Sequence, residues 1–232
     1  MPKSNASLKT NIRKTVLSSY RARGKAVNNL WLVYSPKTDS DWILPSDRQL
    51  IHWLSFLESN PDVKTFDLDP DPVLSHDGDE DKATILDAIV ILYSGATEWH
   101  EVKAGSSLDI EPQHRSQFVA QNNLATKNRV TYKRFNDIEL EPRAKFAMRW
   151  LEAIGYAAAI RGRDFKTLEN VLTSIIKERK KGKIINILDE MEGYDFPVII
   201  GILIRLSGKG LLNLDLESKN LGFTTSWSIG IK

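Results

Sequence analysis

One segment constrains both a local fold and a chemistry. Asp87 opens the apolar run Ala88-Ile-Val-Ile-Leu-Tyr93, a short Ser94-Gly95-Ala96 connection follows, and Glu98-Trp-His-Glu101-Val102-Lys103 returns. Two runs rich in β-branched and aromatic residues around a Ser/Gly connection read as an antiparallel hairpin. That pairing sets Asp87 opposite Lys103. Side chains alternate along a strand, so Glu101 and Lys103 share a face, and Asp87 falls on the same face. Two hard carboxylate ligands can hold Mg²⁺, an ion that keeps several waters and suits phosphodiesters, while a nearby lysine orients or helps deprotonate the attacking water. The same three residues also suit an ordinary ion-pair patch on a surface hairpin, so the rest of the chain has to choose between the two.

With 232 residues, 41% of them hydrophobic, the chain can bury one good core or two small ones, and two lobes are expected. It has no cysteine, which excludes disulfides and thiolate metal sites. No apolar run approaches the length of a membrane span and no signal peptide is visible, so a soluble cytoplasmic, bacterial protein without membrane contact is expected. The strongest apolar run, Phe196 to Leu206, contains Arg205 and reads as a core helix. The net charge of +2 hides an asymmetry: Lys3, Lys9, Arg13, Lys14, Arg21, Arg23, Lys25 and Lys37 precede the first acidic residue, whereas the stretch from Glu58 to Asp81 is strongly acidic. A basic arm suits nucleic-acid phosphates through counterion release, or serves as a solubilising tail.

Leu30-Trp-Leu-Val-Tyr34 and Trp42-Ile-Leu44 flank Ser35 to Ser40 as a strand pair around a turn. Ser46 is a good N-cap and Gln49, three residues on, completes a capping box; Leu50, Leu54 and Leu57 with Ile51 and Trp53 form the apolar stripe of the helix it opens. Residues 63–75 read as one extended strand broken by Pro70 and Pro72, followed by an acidic turn from His76 to Asp81. After the hairpin comes a helix over 112–128 with Phe118, Val119 and Leu124 inward, then a strand at Val130 to Phe135. This α/β order is that of a restriction-endonuclease-like core. From Pro142 the pattern turns helical, over 143–161, 165–180, 183–191 and 196–207, with Leu211–Leu216 and Phe223–Ile229 as a final strand pair. Helices closed by such a pair describe a winged helix. The expected organisation is a basic arm at 1–29, an α/β (α+β) nuclease domain at 30–140 and a mostly helical winged-helix-like domain at 141–232.

Several motifs in order resemble TnsA, the endonuclease subunit of heteromeric bacterial transposons, a member of the PD-(D/E)xK nucleases. They are Tyr34-Ser35-Pro36-Lys37-Thr38, the helix opening Ser46-Asp47-Arg48-Gln49-Leu50 with Leu54-Ser55, Leu86-Asp87-Ala-Ile-Val90, Glu101-Val-Lys103, and Lys183-Ile-Ile-Asn-Ile187 through Gly210-Leu-Leu-Asn-Leu-Asp215. The resemblance implies a Mg²⁺-dependent endonuclease, with Mn²⁺ able to substitute. It would cut the non-transferred strand at the 5′ transposon ends of double-stranded DNA, alongside a DDE transposase (TnsB-like) and a AAA+ ATPase regulator (TnsC-like), to allow cut-and-paste movement. It carries over Asp87 and Glu101 as metal ligands, the Val102 carbonyl as a third, and Lys103 as the lysine of the motif. The family has a glutamate where this chain has Gln49, and it tolerates Gln in the position of Glu101. Either the two positions exchange roles at constant charge, or Gln49 serves only its helix cap. Leu86 replaces the proline of the motif, which supplies no ligand.

The helix after the motif presents Gln113, His114, Arg115, Gln117, Gln121, Asn122, Lys127, Asn128 and Arg129, a face that tracks phosphate or is simply solvated. DNA contacts are accordingly expected from Lys14, Arg21, Arg23, Lys25, Arg115, Lys127 and Arg129. The apolar last helix is a poor major-groove reader and suits protein docking, with Lys177, Arg179, Lys180, Lys181 and Lys183 steering a partner or DNA. His52, His76, His100 and His114 lack metal-ligand spacing and read as structural or solvated. Trp99 shares the Glu101 face, in the groove or in the core. A catalytically silent adaptor between transposase and ATPase, and an independent restriction or repair nuclease, are the competing readings.

Overall fold

A computed structural model describes residues 29–77, 80–105 and 112–230 together with Ser18 and Arg21; the side chains of residues 74–82 and 112–114 fall outside the description. Lys14, Arg23, Lys25 and most of the expected basic arm therefore lie outside the described residues, as do the side chains of His76 and His114.

β1 (Trp31–Ser35) and β2 (Ser40–Leu44) pair antiparallel with Trp31 opposite Leu44, as the flanking apolar runs predict. Asp39 closes the turn with a φ of 50° and accepts a 2.6 Å hydrogen bond from the Tyr34 hydroxyl; Asp tolerates this left-handed region better than most residues. Helix α1 (Asp47–His52) starts where Ser46 Oγ accepts the Gln49 N–H at 3.2 Å. Only that half of the expected box forms, because the Gln49 carboxamide reaches elsewhere. The helix then widens into a π-helical segment, Trp53–Glu58, in which Trp53, Leu54 and Leu57 are wholly buried. The stripe read as one helix thus changes pitch midway, a feature often found beside functional sites.

The central sheet has four strands in the order β3-β6-β7-β8: β3 (Val63–Asp67), β6 (Ala88–Leu92), β7 (Thr97–Val102) and β8 (Thr131–Phe135). The first three run antiparallel, and β8 lies parallel to β7 after a crossover through α2 (Pro112–Lys127). The single extended strand expected over 63–75 is corrected: β3 ends at Asp67, before the prolines that cannot donate to a ladder. A separate hairpin, β4 (Val73–Asp77) and β5 (Glu80–Thr84), follows.

The hairpin register is also corrected. The ladder ends with Ala88 opposite His100, a register that, carried one step further, sets Asp87 against Glu101 and not Lys103. The loop is longer than the Ser-Gly-Ala triplet: Leu92 N–H donates to the Ala96 carbonyl and Gly95 N–H to the Leu92 carbonyl, with Gly95 at a φ of 85°. A shift of two residues preserves the facing of every side chain, and the expected convergence on one face survives.

Beyond β8 the chain forms α3 (Asp137–Leu140), a 3₁₀ turn at Glu141–Arg143, α4 (Ala144–Ala159), α5 (Lys166–Arg179), α6 (Ile184–Glu190) and α7 (Phe196–Gly208). α4 crosses α7 closely enough that a Cβ on Gly201 would sit 2.7 Å from the Tyr156 carbonyl oxygen. A second sheet closes the chain in the order β10-β11-β9, from β9 (Lys181–Lys183), β10 (Leu212–Leu214) and β11 (Ser226–Ile229). Three strands stand where a pair was expected; Lys-Gly-Lys has no β-branched residue to announce the third. From Ile199 to Gly208 α7 is buried except at Arg205, so those apolar residues fill the core, while Phe196 at the start of the helix is 48% exposed.

One buried cluster runs from Val33, Leu50 and Trp53 through Val90 to Trp150, Ile199 and Trp227, across the expected boundary at 140/141. The architecture is mixed α and β, and among the described residues no helix is long and apolar enough to cross a membrane.

Candidate active site

Asp87 occupies the bend just before β6, and its own N–H donates to the His100 carbonyl at 3.1 Å. Its carboxylate is fixed at both oxygens: Oδ2 accepts the Val102 N–H at 2.7 Å and Oδ1 accepts Gln49 Nε2 at 2.9 Å. Glu101 lies near the end of β7 and is 1% exposed. Its Oε1 meets Lys103 Nζ at 2.7 Å and Gln117 Nε2 at 3.3 Å, and its Oε2 accepts Gln121 Nε2 at 3.2 Å. Gln49 reaches the centre from α1 on one side of the sheet, Gln117 and Gln121 from α2 on the other. Gln49, Asp87, Val102, Glu101 and Lys103 thus gather at one end of the β6–β7 pair.

The electrostatics follow from burial. Desolvation raises the Asp87 pKa above its ordinary value, against the Val102 N–H, the Lys103 charge and the Gln49 amide, which lower it. Glu101 is raised first by burial and then by the Asp87 charge, with Lys103 and Gln121 opposing. Two desolvated carboxylates that repel each other are a site that a cation relieves, since it cancels both the repulsion and part of the desolvation cost.

The donor set fits a hard divalent ion: two carboxylates whose oxygens retain lone pairs, and the neutral carboxamide of Gln49 beside them. Among the described residues no third His, Cys, Asp or Glu joins a metal-binding cluster. Glu58 does not supply one. It is buried elsewhere, accepting from Ser35 Oγ at 2.9 Å and from the Lys37 N–H at 3.0 Å.

Gln117 and Gln121, read from the sequence as surface, belong to the site. Gln121 is 0% exposed, whereas Val119, expected inward, is 51% exposed. Helical geometry explains both: Phe118, Gln121 and Ala125 recur every three or four residues, and Val119 stands one step, about 100°, from Phe118. That spacing was the available signal. Trp99 lies in a small core with Leu86 and Ala125 beneath α2 and does not line a groove.

On the opposite face of β7, His52 Nε2 and His100 Nδ1 are 3.0 Å apart, His100 Nε2 lies 3.0 Å from Glu98 Oε2, and Lys133 Nζ meets Glu98 Oε1 at 2.7 Å. Burial pushes the His100 pKa down to about 4 and that of His52 well below its usual value. Both rings are therefore neutral near pH 7, one donating to the other. This chain ties α1 to the sheet and so holds Gln49 over Asp87. Arg48, beside Gln49, donates to Asp137 Oδ2 at 3.0 Å, which also accepts the Gly105 N–H at 3.0 Å and so fixes the segment leaving Lys103.

Of the expected DNA contacts, Arg21, Arg115, Lys127 and Arg129 are described and exposed. Arg115 sits two residues before Gln117, at the site end of α2. Lys127 is about 18 Å further along the helix axis at 1.5 Å per residue, so Arg115 and Lys127 do not meet at the centre. No protein-family model and no curated protein matches the chain.

Proposed function

We propose that this chain is a metal-dependent DNA endonuclease of the PD-(D/E)xK kind, with a restriction-endonuclease-like core, acting as the TnsA-type subunit of a heteromeric transposase. The observation that carries the reading is the meeting of Asp87, half-buried, and Glu101, buried, both raised in pKa, with Lys103 bound to Glu101. An ion pair on a surface hairpin would leave both carboxylates in water and near their ordinary values.

Asp87 and Glu101 would hold a Mg²⁺ or Mn²⁺ ion, which when bound supplies Lewis acidity for phosphodiester hydrolysis. The residues of the chain do the positioning. The Val102 N–H and the Gln49 carboxamide fix the Asp87 carboxylate. Lys103, 30% exposed at its side chain, keeps N–H donors on the solvent side for a water or a phosphate oxygen. Double-stranded transposon ends are the proposed substrate, delivered by a DDE transposase and regulated by a AAA+ ATPase.

Cleavage of a labelled transposon-end duplex, with Mg²⁺ and both partners present, tests this. Wild-type protein nicks the 5′ end and Asp87→Ala loses at least about 1,000-fold while still joining the assembly; wild-type nicking by Asp87→Ala sinks the assignment. A second reading, the catalytically silent adaptor, draws on one observation: Gln49 spends its Nε2 donor on Asp87 where a third carboxylate would serve a metal. Absence of Mn²⁺ binding by the wild-type protein within the assembled complex would favour it.

A further inference from the structure

Glu101 is gripped at both of its oxygens, and the grip on Oε2 belongs to a side chain that reaches no solvent. Gln121 makes three hydrogen bonds: Nε2 donates to Glu101 Oε2 at 3.2 Å and to Thr84 Oγ1 at 2.9 Å, and Oε1 accepts the Tyr132 hydroxyl at 2.7 Å. The sense of this amide is not arbitrary. An ionised carboxylate only accepts, so Nε2 has to face Glu101, and that leaves Oε1 toward Tyr132, which has to donate. Burial and the Glu101 charge raise the Tyr132 pKa, so the phenol keeps the proton it donates. A carboxylate is otherwise a broad two-fold rotor about its last torsion. Held by Lys103 and Gln117 at one oxygen and by Gln121 at the other, Glu101 has its remaining lone pairs fixed in direction.

We infer that Gln121 is a positioning residue of the nuclease centre, holding the Glu101 carboxylate in the orientation that meets a divalent cation, and that Tyr132 locks the Gln121 amide in the sense this requires. The inference rests on the metal-dependent reading above and extends the centre to α2 and β8. Neither residue is offered as a ligand, and Gln121 acts only through Glu101.

Calorimetric titration of the full chain with Mn²⁺ tests it, comparing wild type, Asp87→Ala, Gln121→Met and Tyr132→Phe, with urea unfolding measured on each. Gln121→Met keeps the length of the side chain and removes its donors. The expected result is Mn²⁺ affinity about 10- to 100-fold weaker, the usual effect of losing a group that orients a metal ligand. Tyr132→Phe, which removes one hydroxyl, is expected to weaken affinity several-fold in the same direction. A Gln121 that merely supports packing would lower the unfolding midpoint and leave the Mn²⁺ affinity of the folded protein unchanged, and that result overturns the inference. Should Gln121→Met not fold, wild-type affinity in Tyr132→Phe overturns it equally. If Asp87→Ala binds Mn²⁺ as tightly as wild type, or wild type binds none, the metal-dependent reading itself falls and Gln121 with it.

Discussion

A carboxylate held out of water needs a reason to be there, and Asp87, Glu101 and Glu58 have different ones. Asp87 and Glu101 stand next to each other beside an amine, an arrangement that costs stability and that, on the proposed function, a cation would relieve. Glu58 instead clasps the β1–β2 turn: burial raises its pKa to about 7, while the Lys37 charge and the Ser35 hydroxyl pull it down. Because that folded value lies above the value of an unfolded glutamate, the native state binds the proton more tightly. Its contribution is full below about pH 4.5 and is lost as pH rises to about 7, with stability falling by about 3 kcal/mol. Glu58→Gln, which retains an acceptor for the Lys37 N–H, should flatten that slope. Urea midpoints at pH 5 and pH 8 for both proteins check it; a slope unchanged by the substitution would show that Glu58 is not raised. Asp87 and Glu101 give the same sign, so the difference between the two proteins isolates Glu58.

Helix α2 is the element whose facing matters most, because it brings Gln117 and Gln121 to Glu101 while covering Trp99 and Leu86. Phe118 is 5% exposed, and its truncation to alanine should cost about 3–5 kcal/mol. Val119→Lys should change stability by less than about 0.5 kcal/mol, since Val119 faces solvent. Thermal or urea unfolding of the two variants reads the orientation of the helix directly, and the reverse ranking would turn α2 by a residue and take Gln121 off Glu101. The β6–β7 hairpin shows the complementary lesson. Its alternation put Asp87, Glu101 and Lys103 on one face whatever the loop length, provided that the register moved by an even step, as it did. Its loop was less legible, because whether Leu92 continues the ladder or turns depends on its pairing with Val63 of β3, a partner distant in the chain.

For the whole molecule the decisive feature is the shared core. The π-helical segment, α1 and β1 all pack on α4, so the apolar stripe of Leu50, Trp53 and Leu54 is completed by Trp150 and Ile154 from beyond the expected boundary. A fragment ending at Glu141 would leave that stripe in water. The full chain should therefore unfold in one cooperative transition, seen at the same midpoint by circular dichroism and tryptophan fluorescence, and the fragment should show no cooperative transition of its own. Two separated midpoints in the full chain, or a cooperatively folded fragment, would restore two independent lobes.

Composition and periodicity were enough to fix the strand pair at the start, the Ser46 cap, the convergence of Asp87, Glu101 and Lys103, and the helical second half, because each depends on neighbours within a few residues. The burial of Gln121, the His52–His100–Glu98 chain, the diversion of Gln49 from its cap to Asp87, the third strand at Lys-Gly-Lys and the continuous core were decided only by the tertiary structure. Each depends on a partner tens of residues away, and a polar side chain carries no local mark of whether the surface above it will meet water or another layer of the protein.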